Sequence, residues 1–596
     1  MLQALRILGE LVGDPQLHDP IQAQYIAVLE FDEQGNYQGV KLEAFKEANL
    51  PRYLYKKAKG SNPPTLTPSL MLNRKDMTKS LGNARKAYRK LRPLEPTLPS
   101  LDLEEDRWPP MLEDLTRALE GLRQKDKVLL TVRIGGKYMG DREDFHRALR
   151  ARVLEEGQDS SGTAPCAVCG RIQEVSGDLS PFKFYTIDKP GYIIGGFDKK
   201  QAYKAFPLCY DCRGLIQRGR QHVEKHLTFT FAPGIRYMLI PDFLFGPKAL
   251  HQEVLDILTI DREQRAQRLH GLKSREWRRI TQDEEDILDV LSEEQDVMTM
   301  HFLFMSPPQG TSSQELIELY IQDVYPSRLR ELFQAKEVIE RLLAYQQEDG
   351  TFQSYTFTYA TLHRFFSKAT PDKRNPDLQR HFYEVVDRTF RGVPIPEGYL
   401  IPFLMRQIRN DVTHPDRRDR QKAYRFTIRD ALAVLMFVRW TTEKEVTGDM
   451  SMEDRPSELE SFLDTLPILD NDLKKGLFLL GALTERLLRV QYSIRESAPF
   501  WKTLKGLKLT ETDLQGLLPK TRNKLQEYDK FGPGEAQLFE SAAQFLAQAP
   551  TPWKMNTDEL NFYFALGMGL FDRIAPYVYQ RELKEGNHEQ SCEESA

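Results

Sequence analysis

The chain has 596 residues, 40% hydrophobic and 29% charged, with a formal net charge of −4, a length that holds roughly three or four domains with substantial cores. No apolar run approaches the roughly 18 residues of a membrane-spanning helix, which argues against a helical membrane protein. The opening Met1–Glu10 is amphipathic, without a basic leader or a small-residue cleavage site, so a cytoplasmic protein without a secretion signal is expected.

The small net charge hides an uneven distribution. From Arg52 to Arg92 the chain carries twelve Lys and Arg against one acid, Asp76, a local balance of about +11. Lys56, Lys57, Lys59, Asn62, Arg74, Lys75 and Lys79 fall in this stretch, interleaved with Tyr53, Tyr55 and Tyr88. Cations beside aromatic faces suit phosphate contact and base stacking together, whereas a merely solvated helix face mixes its signs for i, i+4 pairing. Pro93 to Glu120 then turns acidic and proline-rich, with Pro93, Pro96, Pro99, Pro109 and Pro110, and reads as a connector or an exposed excursion. Residues 124–150 hold short apolar strands around Val128–Lys137.

Four of the five cysteines form two pairs, Cys166-x-x-Cys169 and Cys209-x-x-Cys212. The spacing predicts a zinc site, with Gly170 completing a knuckle and the second pair opening a helix, a zinc-finger geometry of treble-clef type. Two disulfides or four buried thiols are the alternatives, and an intracellular composition disfavours them. Four thiolates close the coordination shell, so the ion is expected to be structural and not catalytic. His222 and His226 lie at i, i+4 spacing and are read as surface histidines; Cys592 belongs to the polar tail and is no ligand candidate.

Between the pairs, Gly195 and Gly196 precede Lys199 and Lys200. Such a loop can approach a phosphate closely, but a hairpin turn fits it as well and the P-loop spacing is missing. Residues 226–246 read as two strands split at Pro233-Gly234, and 261–300 as a charged helical pair. No nucleophile-elbow, zinc-protease, helicase or paired His-Asp metal motif appears, and His414 sits in a His-Pro turn beside capping aspartates, so no enzyme is expected.

A second basic region runs from Lys474 to Lys530, twelve cations against six acids, and includes Lys474, Lys475, Arg486, Arg489, Lys502 and Lys505. Leu473, Leu477, Leu480, Leu483, Leu487 and Val490 recur at helical steps and predict one buried stripe. Asn556 and Glu559 predict a capping box before Asn561–Gly567. The expected fold class is α+β: a mixed α/β amino-terminal half with an inserted four-cysteine zinc module, then an all-α carboxy-terminal helical bundle. The expected boundaries are 1–160, 161–225 for the zinc module, 226–445 for the continued core and helical middle, 446–584 for the bundle, and a disordered tail at 585–596.

Arg52–Asn62 followed by Leu66-Thr67-Pro68-Ser69, the two cysteine pairs, the run Pro499–Leu509 and the late Asn561–Gly567 together resemble the large subunit of type I-B CRISPR Cascade complexes. The resemblance implies a non-catalytic subunit of a guide-RNA interference complex that recognises a protospacer-adjacent motif in double-stranded DNA, helps unwind it and supports R-loop formation. Base pairing with the guide reads most of the sequence in such systems, and protein side chains need read only a few flanking base pairs and grip phosphates. It implies partners as well: guide RNA, target DNA, backbone and guide-end subunits, and a helicase-nuclease that cuts.

On that reading Lys56, Lys57, Lys59 and Asn62 meet DNA near the motif or the 5′ end of the guide, with Lys199 and Lys200 beside Gly195 and Gly196 as a second loop. The bundle resembles the small subunit of related complexes, with Met450 or Met452 as internal starts. The competing readings are a zinc-stabilised nuclease with a dispersed acidic site and a guide-independent RNA-binding scaffold.

Overall fold

A computed structural model of the chain describes residues 1–12, 18, 19, 21–58, 65–156, 161–177, 182, 198–259, 298–306, 315–346, 352–367, 378–413, 417–443 and 459–579. Two apolar runs far apart in sequence, Tyr25–Phe31 (β1) and Val128–Ile134 (β4), pair in parallel from Tyr25 opposite Val128 to Phe31 opposite Ile134. Tyr37–Ala44 (β2) runs antiparallel to β1, and Leu70–Met71 (β3) and Lys137–Tyr138 (β5) pair antiparallel with β4.

Both faces of β1 are covered. Ala27, Leu29 and Phe31 join a core with Leu81, Met111 and Phe145, whereas Ile26 and Val28 meet Tyr53, Tyr55 and Tyr138. Burial on both sides explains why these strands are nearly continuous apolar runs instead of alternating ones. The one charged pair in register, Glu30 opposite Arg133, is internally satisfied: Arg133 donates to Glu30 and to Glu43.

Four helices follow in this half: Leu2–Leu11 (α1), the single turn Leu50–Tyr53 (α2), Met77–Leu91 (α3) and Trp108–Ala118 (α4), with Glu143–Glu156 (α5) after the sheet. Asp76 caps α3 by accepting from the Lys79 amide at 2.9 Å, and Leu81, Ala84, Tyr88 and Leu91 form its buried face. The segment from Pro93 is not an exposed connector. Leu98, Leu101, Leu103, Met111 and Leu115 are all buried in the same core, and Pro109 and Pro110 lie in the first turn of α4, where a missing amide costs nothing. Its acids are spent on arginines, Glu104 and Glu105 on Arg85 and Glu95 on Arg147.

Ser161–Pro165 (β6), Ile172–Ser176 (β7) and Leu208–Cys209 (β8) make a small antiparallel sheet, and Tyr210–His226 (α6) leaves from the last of them. α6 packs along α1, so the amphipathic amino terminus is a docked helix whose Leu5 and Leu8 are buried. A Cβ on Gly9 would collide with the carbonyl of Leu215, and one on Gly219 with that of Leu5. Thr228–Ala232 (β9) and Ile235–Phe243 (β10) form the hairpin expected around Pro233-Gly234, with Gly234 at φ +75, and join Met298–Ser306 (β11) and Leu316–Val324 (β12) in the order β12-β11-β10-β9. Lys248–Thr259 (α7) follows β10. The expected charged helical pair at 261–300 lies outside the described residues up to 297; its last three positions belong to β11.

The chain divides into two compact units, one of Met1–Thr228, Met238–Thr259 and Met305–Ile317, the other of Phe229–Tyr237, Ile260–Phe304 and Glu318–Ala596. The second unit is built on Pro326–Leu343 (α8), Tyr359–Phe366 (α9), Gln379–Arg391 (α10), Glu397–Thr413 (α11) and Arg417–Glu443 (α12). It continues through Leu459–Asp464 (α13), Asp472–Arg495 (α14), Glu511–Glu527 (α15), Pro533–Gln548 (α16) and Thr557–Gly569 (α17).

The stripe expected on α14 is buried at all six positions, but so are Phe478, Leu479, Ala482, Glu485 and Leu488 on its other sides. A helix apolar on every side is a central helix, and α17, capped by the expected Asn556/Glu559 box, is buried from Leu560 to Met568. The fold is thus α+β, with a mixed amino-terminal half carrying the four cysteines and a helical carboxy-terminal half.

Candidate metal centre and basic surfaces

The two cysteine pairs meet in space. Cys166 and Cys169 lie in the turn between β6 and β7, where Gly170 takes φ +70 and its amide donates to the Cys166 carbonyl at 2.9 Å. Cys209 ends β8 and caps α6, accepting from the Cys212 amide at 3.5 Å; Cys212 is in the first turn. Among the described residues these four sulfurs form the one cluster of metal-binding type, all within 4.8 Å of one another, with Cys169 and Cys209 at 3.9 Å.

An ion about 2.3 Å from each of four sulfurs sets them about 3.8 Å apart, so this donor set fits a tetrahedral metal and leaves no open position. All four are free thiols, three of them buried. The Cys209 amide donates to Cys166 and the Gln173 side chain approaches Cys169 at 3.6 Å, contacts that offset thiolate charge. Hydrogen bonding from Cys212 and from its backbone holds the Cys209 thiol down to about 5, and its partner Cys212 is pushed up by the same contact. His222 and His226 lie further along α6, half-buried and ring to ring at 4.8 Å, apart from the cluster.

The amino-terminal basic segment divides into cations that are already engaged and cations that are not. Lys56 is buried and its ammonium sits 2.6 Å from Asp19, whose other oxygen takes the amide of the exposed Lys57. Arg52 chelates Asp141 over the Tyr138 ring, and Arg74 donates to the carbonyls of Leu122 and Arg123. Tyr53, Tyr55 and Tyr88 are buried, which overturns the base-stacking reading of these rings: they serve the two cores.

Lys75 and Lys79, by contrast, are exposed and meet no carboxylate among the described residues, and the same holds for Lys86 and Lys90, which the charge balance of the segment includes but no motif marks out. Lys79, Lys86 and Lys90 recur at i, i+7 and i+11 on α3, one strip about 16 Å long without an acid on it. That spacing was the available signal. Arg85 and Arg89 are directed to Glu104 instead.

In the helical unit half of the twelve expected cations are paired with acids among the described residues. Lys474 is buried between Glu397 at 3.0 Å and Asp470 at 3.1 Å, with the Tyr563 ring beside it. Lys475 pairs with Asp464, Arg486 with Glu535, Arg489 with Glu485 and Asp572, and Lys505 with Asp513. Lys502 is exposed with no acidic partner among the described residues.

Lys200 is exposed at the start of a short helical turn capped by Asp198; Lys199 begins that turn. Lys59, Asn62, Gly195, Gly196, His414, Met450, Met452 and the tail from 585, with Cys592, lie outside the described residues. No described helix is long and apolar enough to cross a membrane.

Comparison with known families gives the same description three times over. The N-terminal, central and C-terminal domain models of CRISPR-associated protein TM1802 match residues 1–151, 163–324 and 357–582, one after another along the chain. No curated protein matches it. With its mixed amino-terminal half, four-cysteine cluster and helical end all falling within matched regions, the chain belongs to the CRISPR-associated protein TM1802 family.

Proposed function

We propose that this chain is the large, non-catalytic subunit of a type I-B guide-RNA interference complex in the cytoplasm. It recognises a protospacer-adjacent motif in double-stranded DNA, helps open the duplex and supports the R-loop before a helicase-nuclease is recruited. The observation that carries the reading is the unpaired ridge of Lys79, Lys86 and Lys90 on α3, with Lys75 at its head, in a chain of a CRISPR-associated family. Unpaired lysines on one strip suit a phosphate backbone, where binding gains from released counterions. The duplex motif then needs only a few base-edge contacts, since pairing with the guide reads the rest. Lys57, Lys59, Asn62 and the loop of Gly195, Gly196, Lys199 and Lys200 are the proposed neighbours of that motif.

In this reading the four cysteines hold a structural Zn²⁺, for which a tetrathiolate shell is the usual donor set. The partners are guide RNA, the backbone and guide-end subunits, and a small subunit that an internal start at Met450 or Met452 supplies.

The test is purification of the tagged protein from its own cells, with sequencing of accompanying RNA and mass spectrometry of accompanying proteins. Repeat-flanked guide RNA with several copies of a backbone subunit supports the reading. A lone protein that hydrolyses DNA with Mg²⁺ overturns it in favour of a nuclease, and unrelated RNAs overturn it in favour of a scaffold.

A further inference from the structure

On α12 of the helical unit, Phe426 is 46% exposed, although Tyr424, Thr427 and Ile428 beside it are buried. Arg429, one turn on, places its guanidinium carbon 5.2 Å from the centre of that ring and 4.9 Å from the centre of the Tyr355 ring. Tyr355 is fixed from behind, its hydroxyl donating to Asp430 at 3.0 Å while Arg364 holds the other oxygen of the same carboxylate at 2.7 Å.

Neighbouring arginines are committed: Arg425 to Glu485 and Arg364 to Asp430. Arg429 is not. Among the described residues none of its nitrogens meets a hydrogen-bond acceptor or a carboxylate, and its Nε is out of reach of solvent without a partner. A guanidinium held over two rings, whose terminal nitrogens meet no protein acceptor among the described residues, is placed to take an anion through those nitrogens. An exposed phenyl face beside it is the complementary half of a nucleotide site.

We propose that Phe426 and Arg429 form a nucleotide step on which one unpaired base of a single-stranded nucleic acid stacks against Phe426 while its phosphate takes the donor edge of Arg429. The step rests on the interference-complex reading for the source of that strand, which an opened duplex supplies. Stacking on an aromatic face tolerates any base, as a subunit that meets many targets requires. A scattered surface hydrophobic would account for Phe426 alone, but not for the guanidinium held over its ring.

The test uses the full-length protein and fluorescein-labelled oligothymidylate or oligouridylate of about 20 nucleotides, read by anisotropy at fixed salt. Phe426→Ala weakens binding roughly tenfold while the thermal melt is unchanged, and Phe426→Tyr restores it. Phe426→Trp binds as the parent does and shows additional quenching of indole emission when the oligonucleotide is added. Arg429→Ala weakens binding and lowers the salt slope by about one.

If Phe426→Ala binds within about twofold of the parent and Phe426→Trp is not quenched, while charge reversal on the α3 ridge still weakens binding and flattens its salt dependence, the step is wrong and the interference reading stands. If the parent protein binds neither oligonucleotide, the step is overturned directly. The RNA and proteins that copurify with the parent decide the interference reading separately.

Discussion

Gly481 of α14 and Phe564 of α17 meet backbone to backbone: a Cβ on Gly481 would overlap the Phe564 carbonyl, and three residues away the Phe478 carbonyl occupies the same place at Gly567. The two most buried helices of the second unit are therefore as close as their main chains allow. Gly481→Ala forces them apart, against a core that is filled on every side of α14, and is expected to cost about 3 kcal/mol. Gly516 on α15 is the control, because a Cβ there meets only the flexible end of Lys520. Gly516→Ala stabilises by about 0.5–1 kcal/mol, through the conformational freedom that alanine removes from the unfolded chain. Denaturant melts of the two variants read the opposite signs.

The division between engaged and unengaged lysines predicts two classes of charge variant. Reversing Lys79, Lys86 and Lys90 together leaves the melting transition in place and flattens the dependence of DNA affinity on salt, by about 0.9 in logarithmic slope for each phosphate that is no longer neutralised. Reversing Lys474, which is itself buried, or Arg489, whose partner Glu485 is buried, sets like charges against each other and lowers the melting transition instead. A salt slope unchanged by the triple reversal would show that phosphates do not bind along α3.

Metal content is the direct check on the cysteine cluster. Elemental analysis is expected to return about one zinc per chain, as a single tetrathiolate site requires. Cys166→Ser or treatment with a chelator removes it. Amide exchange then rises over β6 and β7, which hold the first pair, while α6 beyond its first turn keeps its protection because it packs on α1.

Acid should loosen the first unit through His18. Burial, followed by the nearby Lys56 charge, lowers its pKa from 6.5 to about 4. The folded protein thus binds this proton less readily than the unfolded chain does. The stability held by neutral His18 is complete above pH 6.5 and declines as the pH falls toward 4, at no more than about 1.4 kcal/mol per pH unit for one proton. His18→Gln removes that share of the slope. His222, lowered to about 4 chiefly by burial, keeps its own share in the variant. A variant with the parent's pH profile would mean that His18 is not the group responsible.

Much of the architecture was legible because the signals were local. The cysteine spacing, the Asn556/Glu559 box, the hairpin at Pro233-Gly234 and the leucine steps of α14 each depend on residues within a turn or two of one another. The basic surfaces were only half legible because ion pairing is not local. The acids that neutralise Lys474, Lys475, Arg486 and Arg489 include Glu397, Asp464, Asp470, Glu535 and Asp572, all outside the stretch from Lys474 to Lys530. Asp19, Asp141, Glu104 and Glu105 do the same for the amino-terminal segment. Pro93 to Glu120 misleads for a related reason: helix-opening prolines and paired acids have the composition of a linker.

The dual place of Cys209, at once a sulfur of the cluster and the cap of α6, bears on the order in which this region assembles. The second cysteine pair is seated by a helix that already has a docking partner in α1 and an amide cap of its own. The first pair rides on the short β6–β7 hairpin, which joins β8 through Val175 and Ser176. Half of the socket therefore stands ready on the folded body, and an arriving ion has only to capture the hairpin, so the entropy spent at the moment of binding is that of one small arm and not of the whole module.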